Sequence, residues 1–438
     1  MFSKENICPM LVLRELQIRR AEERLMKVRN QPTRLDFRVG PETPLGTALR
    51  RFWVPACLSS EVAEPDCDPY RVRLLGQSFV AFRDTQGRVG LLDEACPHRR
   101  ASLVFGRNEN GGLRCLWHQW KIDVDGNLLE TPNHDNCTFR QHVKARAYPV
   151  RESGGLVWTY IGPAEHEPPF PEFSWASEAA ENQIVVPVDL DCSFIHPLEG
   201  LVDSAHVSLL HVDAINALRE TAGADKAALT ASTMPKLDVR ATDFGFHYGA
   251  LRAVEHEGQS MTQVRVTAFA APYVVFIANG NIHLSVPQDD THTRFYNVVS
   301  QRELRSDRPL AEMLVTLGVD PQQLEDGGIA STMPGLGPLG QRNRFSQDRV
   351  AMRANTTFTG VQGLTVEDAV MTVSAGYLAE ENSPENLVPA DLAISRLHRW
   401  MKEISTRVAN GDVISEVAPE TETRRISAIS ALLVDGQD

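Results

Sequence analysis

Between Cys96 and His118 the chain carries Cys-x-His, sixteen residues, then Cys-x-x-His: Cys96, His98, Cys115 and His118. Thiolates and imidazoles at this spacing select a borderline or soft metal, zinc or an iron–sulfur cluster. A zinc finger would set both sulfurs in one pair and both nitrogens in the other. Here each pair holds one of each. The fold must therefore present two loops side by side, each contributing one thiol and one imidazole.

Composition narrows the setting. With 438 residues, 42% of them hydrophobic and 23% charged, the chain has the make-up of a globular enzyme of two or three domains. A formal charge of −13 and the lack of any basic stripe exclude nucleic acid as a partner. No apolar run reaches the roughly 18 residues of a membrane span, and the N-terminus, MFSKENICPMLVLRELQIRR, is charged where a secretory segment would be apolar. A cytoplasmic location is expected. Seven cysteines spread over the chain are an odd number and do not look like a disulfide framework.

Residues 10–29 have a helix-compatible apolar spacing ended by Pro32. Short β-type runs follow, with YRVRLLGQSFVAFRDTQGRVGLLD reading as three strands and GGLVWTYIGP as another. The proline-rich PAEHEPPFPEF reads as a linker. Beyond it, IHPLEGLVDSAHVSLLHVD is expected to be helical, 244–300 to alternate as antiparallel strands, and PADLAISRLHRWMKEISTRVAN to form a long amphipathic helix. The fold class is α+β: an N-terminal helical extension over 1–34, an antiparallel β domain over 35–165 and an α+β domain over 166–438.

The even division of thiols and imidazoles suits a Rieske [2Fe–2S] centre, in which one iron takes two thiolates and the other two imidazoles. Structural zinc is the alternative. A second constellation lies in EGLVDSAHVSLLH: Asp203, His206 and His211, the two histidines close enough to hold one metal. Alone, such a pair is more often structural. Beside an electron-supplying cluster it suggests a 2-His-1-carboxylate site for non-haem Fe(II), which leaves positions for dioxygen and needs electrons. A pure electron carrier would not need the additional 270 or so residues.

These motifs, with VEDAVMTVSAG far downstream and phrases such as VGPETPLGTALRRFWVPACLSSEV, resemble the oxygenase component of the Rieske non-haem iron aromatic-ring oxygenases. Within that family the chain is most similar to the group of phthalate and chlorobenzoate dioxygenases and aryl demethylases. The resemblance implies a Rieske domain followed by a helix-grip (START-like) catalytic domain. It makes Cys96, Cys115, His98 and His118 the cluster ligands, and His206, His211 and Asp368 the ligands of a mononuclear Fe(2+). It gives Asp203 the role of a hydrogen-bonded bridge to the neighbouring subunit's cluster in a homotrimer. It also implies a separate NADH-dependent flavin and iron–sulfur reductase, alone or with a ferredoxin. The implied reaction is dihydroxylation of an aromatic carboxylate such as phthalate or a substituted benzoate; the alternative is O- or N-demethylation of an aryl ether or amide by a monooxygenase.

The chain departs from the family pattern at HQW, where Gln119 replaces the usual glycine, and at SAG, with Ala375 in the middle. Val207, Leu209 and Leu210 are expected to pack in the core. A carboxylated substrate would want a buried cation. Arg252 and Arg265 lie on strands of the catalytic domain and are the candidates, against the ordinary expectation that a strand arginine faces solvent. His283 and Asn297 read as sheet residues near the cavity and are assigned no role.

Overall fold

The computed structural model describes residues 36–134, 137–215, 233–256, 258–278, 280–304, 310, 344–379, 385–418 and 421–434. The chain divides into Met1–Asp36 and Phe37–Asp438, and the architecture below is that of the second unit. The helix expected over 10–29 lies outside the described residues.

The unit opens with helix α1 (Pro44–Leu49), whose start is set by Thr43: its side chain accepts from the Gly46 N–H, and Pro44 lacks a donor where none is needed. Ten short strands follow: β1 (Trp53–Leu58), β2 (Tyr70–Leu74), β3 (Gln77–Arg83), β4 (Val89–Asp93), β5 (Arg107–Glu109), β6 (Gly112–Arg114), β7 (Lys121–Ile122), β8 (Leu128–Glu130), β9 (Val150–Ser153) and β10 (Leu156–Tyr160). They form three antiparallel sheets, ordered β1-β10-β9, β2-β3-β4 and β5-β6-β7-β8. A short helix, α2 (Cys137–His142), lies between β8 and β9.

The turn between β2 and β3 shows how this part is joined to the rest. Leu75 and Gly76 both have positive φ, the backbone that a two-residue hairpin turn requires. Their N–H groups donate to the carbonyls of Pro287 and Gln288. Nearby, Arg294 donates to Glu61 and to the Tyr70 hydroxyl, so a largely buried charged group from the C-terminal half closes on partners from the N-terminal half.

The C-terminal half is built on one antiparallel sheet. Its strands are β11 (Gln183–Leu190), β12 (Lys236–Thr242), β13 (Gly245–His256), β14 (Gln259–Ala270), β15 (Val274–Ile277), β16 (Asn281–Pro287) and β17 (Thr293–Ser300), ordered β11-β17-β16-β15-β14-β13-β12, with β18 (Ser430–Val434) pairing with β14. Helices α3 (Ile195–Val202), α4 (Val207–Leu210), α5 (Leu364–Ala379) and α6 (Leu392–Asn410) accompany it. Helix α6 buries Ala393, Leu397, Trp400, Met401 and Ile404, a stripe recurring every three to four residues, and ends at Gly411 with φ 76°. Trp400 meets Phe269 of β14 edge-on and Phe52 from the N-terminal half.

The α+β class holds. The segment expected to be helical over IHPLEGLVDSAHVSLLHVD is broken into short pieces: Asp203 adopts extended backbone between the first two helices, and a further helical stretch begins at 212. That interruption positions the functional site.

Candidate functional site

The two Cys/His loops have the same local shape. In the first, Cys96 receives the Arg100 N–H on its carbonyl and donates its own N–H to Ala101 O; in the second, Cys115 does the same with Gln119 and Trp120. Each loop closes through a left-handed residue, Arg100 at φ 61° and Gln119 at φ 59°. Gln119 thus stands in a backbone conformation that suits glycine and costs other residues about 1–2 kcal/mol, which accounts for glycine being usual there.

The loops sort their ligand atoms. Cys96 and Cys115 are both buried, each 2% exposed, and lie close enough for one to influence the other's charge. The imidazoles of His98 and His118 meet edge-on with ring centres 4.4 Å apart, and Trp120 stacks on His98, also at 4.4 Å. Burial, helped by the neighbouring Cys115, pushes the Cys96 thiol up to about 11. A thiolate pair there needs a bound cation to offset its charge. Burial and the charges of His118 and Arg99 lower His98, keeping it neutral, the form that ligates metal. Two sulfurs beside two nitrogens fit a [2Fe–2S] cluster held by Cys₂His₂.

The second site forms where α3 breaks. His206 and His211 flank the one-turn helix α4, and their rings lie 5.2 Å apart at 77°. Asp368 of α5 comes to them from 157 positions further along the chain. Its Oδ1 is 3.0 Å from His211 Nε2 and 3.5 Å from His206 Nε2. These three residues form a group whose ligand atoms all lie within 4.8 Å of one another, so they can hold one metal ion. Both Nδ1 atoms point away from it, to carboxylates. His206 Nδ1 is 3.2 Å from Asp203 Oδ2, and His211 Nδ1 is 2.7 Å from Glu367 Oε2. Glu367 also accepts from the Thr359 hydroxyl, and Asp213 pins the same loop by accepting from Thr357 Oγ1 and the Phe358 N–H.

Glu367 is the functional residue that the sequence reading missed. Its neighbour Asp368 was identified, and the available signal was adjacency: consecutive helix positions point about 100° apart, so one acid can face the metal while the next supports a ligand. A carboxylate behind a ligating histidine fixes its tautomer and orientation, and loss of such a group typically weakens metal binding 10–100-fold. Glu367→Gln is expected to weaken iron retention by about that factor, with the Rieske absorbance unchanged; equal iron content after dialysis of wild type and variant would contradict it.

His211 has a carboxylate on each ring nitrogen. Burial opposes its charge, but Asp368 and Glu367 outweigh that and raise its pKa to about 9. In iron-free protein this imidazolium contributes stability that is fully present below the ordinary histidine value and is lost as pH rises through about 9. Iron must displace the proton. Its affinity is therefore expected to fall about tenfold per pH unit below pH 9, with proton release at pH 7.5, measurable by calorimetry in buffers of different ionisation enthalpy.

Beside Asp368 a cavity is lined by Val188, Leu190, Leu201, Phe295, Thr365 and His283. His283 of β16 bonds through Nδ1 to Asn297 Oδ1 of β17 at 3.0 Å, and burial lowers it to about 4, so it is neutral. His283 is thus a sheet residue that also lines the cavity wall, and Asn297 is its buried partner. Val207, Leu209 and Leu210 do not form core as expected: α4 buries Ser208, and Leu209 is 52% exposed. The single turn leaves Leu209 exposed and Val207 and Leu210 half-buried.

Arg252 and Arg265 overturn the ordinary expectation for strand arginines, being 1% and 9% exposed. They lie diagonally across β13 and β14, where Arg252 pairs with Gln263 and Ala250 with Arg265. Arg252 donates to the carbonyl and hydroxyl of Ser204, next to Asp203. For Arg265 no carboxylate within ion-pair distance occurs among the described residues, and its Nε is buried without a hydrogen-bond partner. Burial lowers the pKa of both, and each lies in the field of Tyr248.

Paired Cys/His loops followed by a histidine–carboxylate face in an α+β domain define a class, metal-dependent oxidoreductases that combine an electron-carrying centre with a catalytic one. Family models agree: residues 52–149 match the Rieske [2Fe-2S] domain and residues 159–438 the LigXa C-terminal domain like family. The chain is 38% identical over 413 residues to the phthalate 4,5-dioxygenase oxygenase subunit of Pseudomonas putida, covering 90% of each. It is 33% identical to the 3-chlorobenzoate-3,4-dioxygenase oxygenase subunit of Comamonas testosteroni, over 85% of this chain and 88% of that one. Over about half of each chain it is 38% identical to the 5,5'-dehydrodivanillate O-demethylase oxygenase subunit of Sphingobium sp. (strain NBRC 103272 / SYK-6). Among solved structures, dicamba monooxygenase bound to dicamba shares the fold with a TM-score of 0.55 at 19% identity, over 83% of this chain and 99% of that one. The chain belongs to the Rieske non-haem iron oxygenases, as an oxygenase subunit, and its cofactors are a [2Fe–2S] Rieske cluster and a mononuclear iron. The structural-zinc reading of the loops falls with this. No helix among the described residues is long and apolar enough to cross a membrane.

Proposed function

We propose that this chain oxidises an aromatic carboxylate, such as phthalate or a substituted benzoate, adding both atoms of dioxygen to the ring. The observation carrying this reading is the buried Arg265 guanidinium, which lacks a protein carboxylate among the described residues. An unpaired buried cation is costly, and a substrate carboxylate offsets that cost while orienting the ring. Arg252, tied to Ser204, adds positive charge and steadies the segment that carries Asp203. The apolar wall of Val188, Leu190, Leu201 and Phe295 suits a ring.

In this reading Cys96, Cys115, His98 and His118 hold the cluster, and His206, His211 and Asp368 hold the iron. When bound, the cluster supplies single electrons and the iron supplies dioxygen activation. The protein positions the substrate, excludes water and keeps both ligating imidazoles in one orientation through Asp203 and Glu367. Electrons originate from NADH through a separate reductase, with or without a ferredoxin, in the cytoplasm. The chain works as a homotrimer in which the cluster end of one subunit meets the Asp203 face of the next. Support for that interface comes from the exposed side chains of Phe105, Leu116 and Trp117 around the cluster loops and of Leu209 and Met371 by the iron residues, apolar surface of the kind subunit contacts cover. The Rieske domain spans 35–165 and the catalytic domain 166–438, after the extension 1–34.

The test is product analysis under labelled dioxygen with a suitable reductase, on phthalates, chlorobenzoates and methoxy- or N-alkyl aromatics. Two labelled oxygens in a dihydrodiol support the proposal; loss of an alkyl group from the substrate replaces it with a demethylating monooxygenase. With a carboxylated substrate, Arg265→Gln is expected to raise KM about tenfold or more, since a charged hydrogen bond contributes about 1.5–3 kcal/mol. An unchanged KM would remove Arg265 from the substrate site.

A further inference from the structure

Apart from the residues described above, a second set of metal-ligating side chains converges between α3 and α6. His196 and Glu199 lie one turn apart on α3, with His196 Nδ1 3.1 Å from Glu199 Oε2. His398 of α6 sets its Nε2 2.5 Å from the other oxygen, Glu199 Oε1. Glu385, in the stretch leading into α6, completes the group: one ligand atom each from Glu199, Glu385 and His398 lies within 4.8 Å of the others. Glu199, His196 and His398 are largely buried, whereas Glu385 is exposed.

We propose that Glu199, Glu385 and His398 form a second divalent-cation site, of the kind that takes Zn²⁺, which ties α3 to α6. Glu199 is largely buried and Glu385 lies exposed beside it, so the two carboxylates repel across the edge of the packed region, and a dication between them removes the repulsion. Carboxylate oxygen and imidazole nitrogen are suitable donors for zinc. With bonds of about 2.0–2.2 Å, tetrahedral ligand atoms stand roughly 3.3 Å apart, so an ion would part His398 Nε2 from Glu199 Oε1, now 2.5 Å away, by roughly 0.8 Å and displace the proton between them. His196 plays the supporting part, holding the Glu199 carboxylate in place. Its own ring is confined by α5: a Cβ on Gly376 would come within 3.0 Å of His196 Cδ2 and 2.7 Å of Cys192 Cβ. The site shares no residue with the iron site. Because α3 ends at Asp203, an ion here steadies the helix from which the iron-binding segment departs.

The test is equilibrium dialysis of the iron-loaded enzyme against Zn²⁺, followed by elemental analysis of zinc and iron per chain. Wild type is expected to bind one zinc while keeping about three irons, two in the cluster and one at the mononuclear site. His398→Gln is expected to lose the zinc. Glu385→Gln, an exposed change that does not endanger folding, is expected to weaken zinc binding about tenfold or more and to lose any zinc-dependent rise in Tm. Zinc taken up only in exchange for iron, no zinc retained, or equal binding by wild type and Glu385→Gln would each overturn the proposal and leave a proton-held His–Glu–His cluster. None of these results bears on the substrate assignment, which rests on Arg265.

Discussion

Asp368→Ala is expected to lose at least about a hundredfold in turnover while the visible spectrum of the Rieske cluster stays as in wild type. The size follows from what the residue does: a group that merely supports a ligand contributes 10–100-fold in metal affinity or activity, and Asp368 lies against both Nε2 atoms itself. Its loss leaves His211 with Glu367 alone and takes away one of the three groups that can hold the metal. Iron content should fall by one per chain. The cluster loops lie on other elements, after β4 and between β6 and β7, so their spectrum reports independently that the protein has folded. Substantial turnover by an iron-replete Asp368→Ala protein would mean that another group closes the site.

Once loaded with both metals, Asp203→Asn is expected to slow oxidation of the reduced cluster about a hundredfold in stopped flow. Asp203 is half buried, accepts from the Ala205 N–H through Oδ1 and faces His206 Nδ1 through Oδ2. Burial works against its charge, but the His206 imidazole and the backbone N–H groups hold its carboxyl below the usual carboxylate range. Asparagine retains the shape and the Ala205 bond but loses the negative charge that orients His206 and would reach the next subunit's cluster histidine. A cluster oxidation rate equal to wild type would take Asp203 out of the electron path. Slow oxidation with the wild-type assembly state unchanged by sedimentation would separate loss of the path from loss of assembly.

Much of this site was legible before any coordinates. Cys96, His98, Cys115 and His118 are each within a few residues of their loop partner, and short loops between paired strands allow few other shapes. His206 and His211 were legible for a similar reason, flanking a single turn. Asp368 came from resemblance alone, because nothing local links it to histidines about 160 residues earlier. Structure adds why the acids occur as Glu367-Asp368: Asp368 faces the Nε2 atoms of both histidines and Glu367 holds His211 from behind.

Local pattern thus determined the ligand types, the pairing of loops, the antiparallel strands and the amphipathic C-terminal helix, all of which depend on spacing along the backbone. Tertiary packing alone decided which strand face is covered, and so that Arg252 and Arg265 are buried where alternation left either face open. It also decided that Leu209 is exposed while Ser208 is buried, since one turn of helix has no period from which to read a face. The convergence of Glu199, Glu385 and His398 is of the same kind: residues nearly 200 positions apart meet only when α3 and α6 pack, and burial, which sets the energy of every charge among them, is a property of that packing and of no single segment.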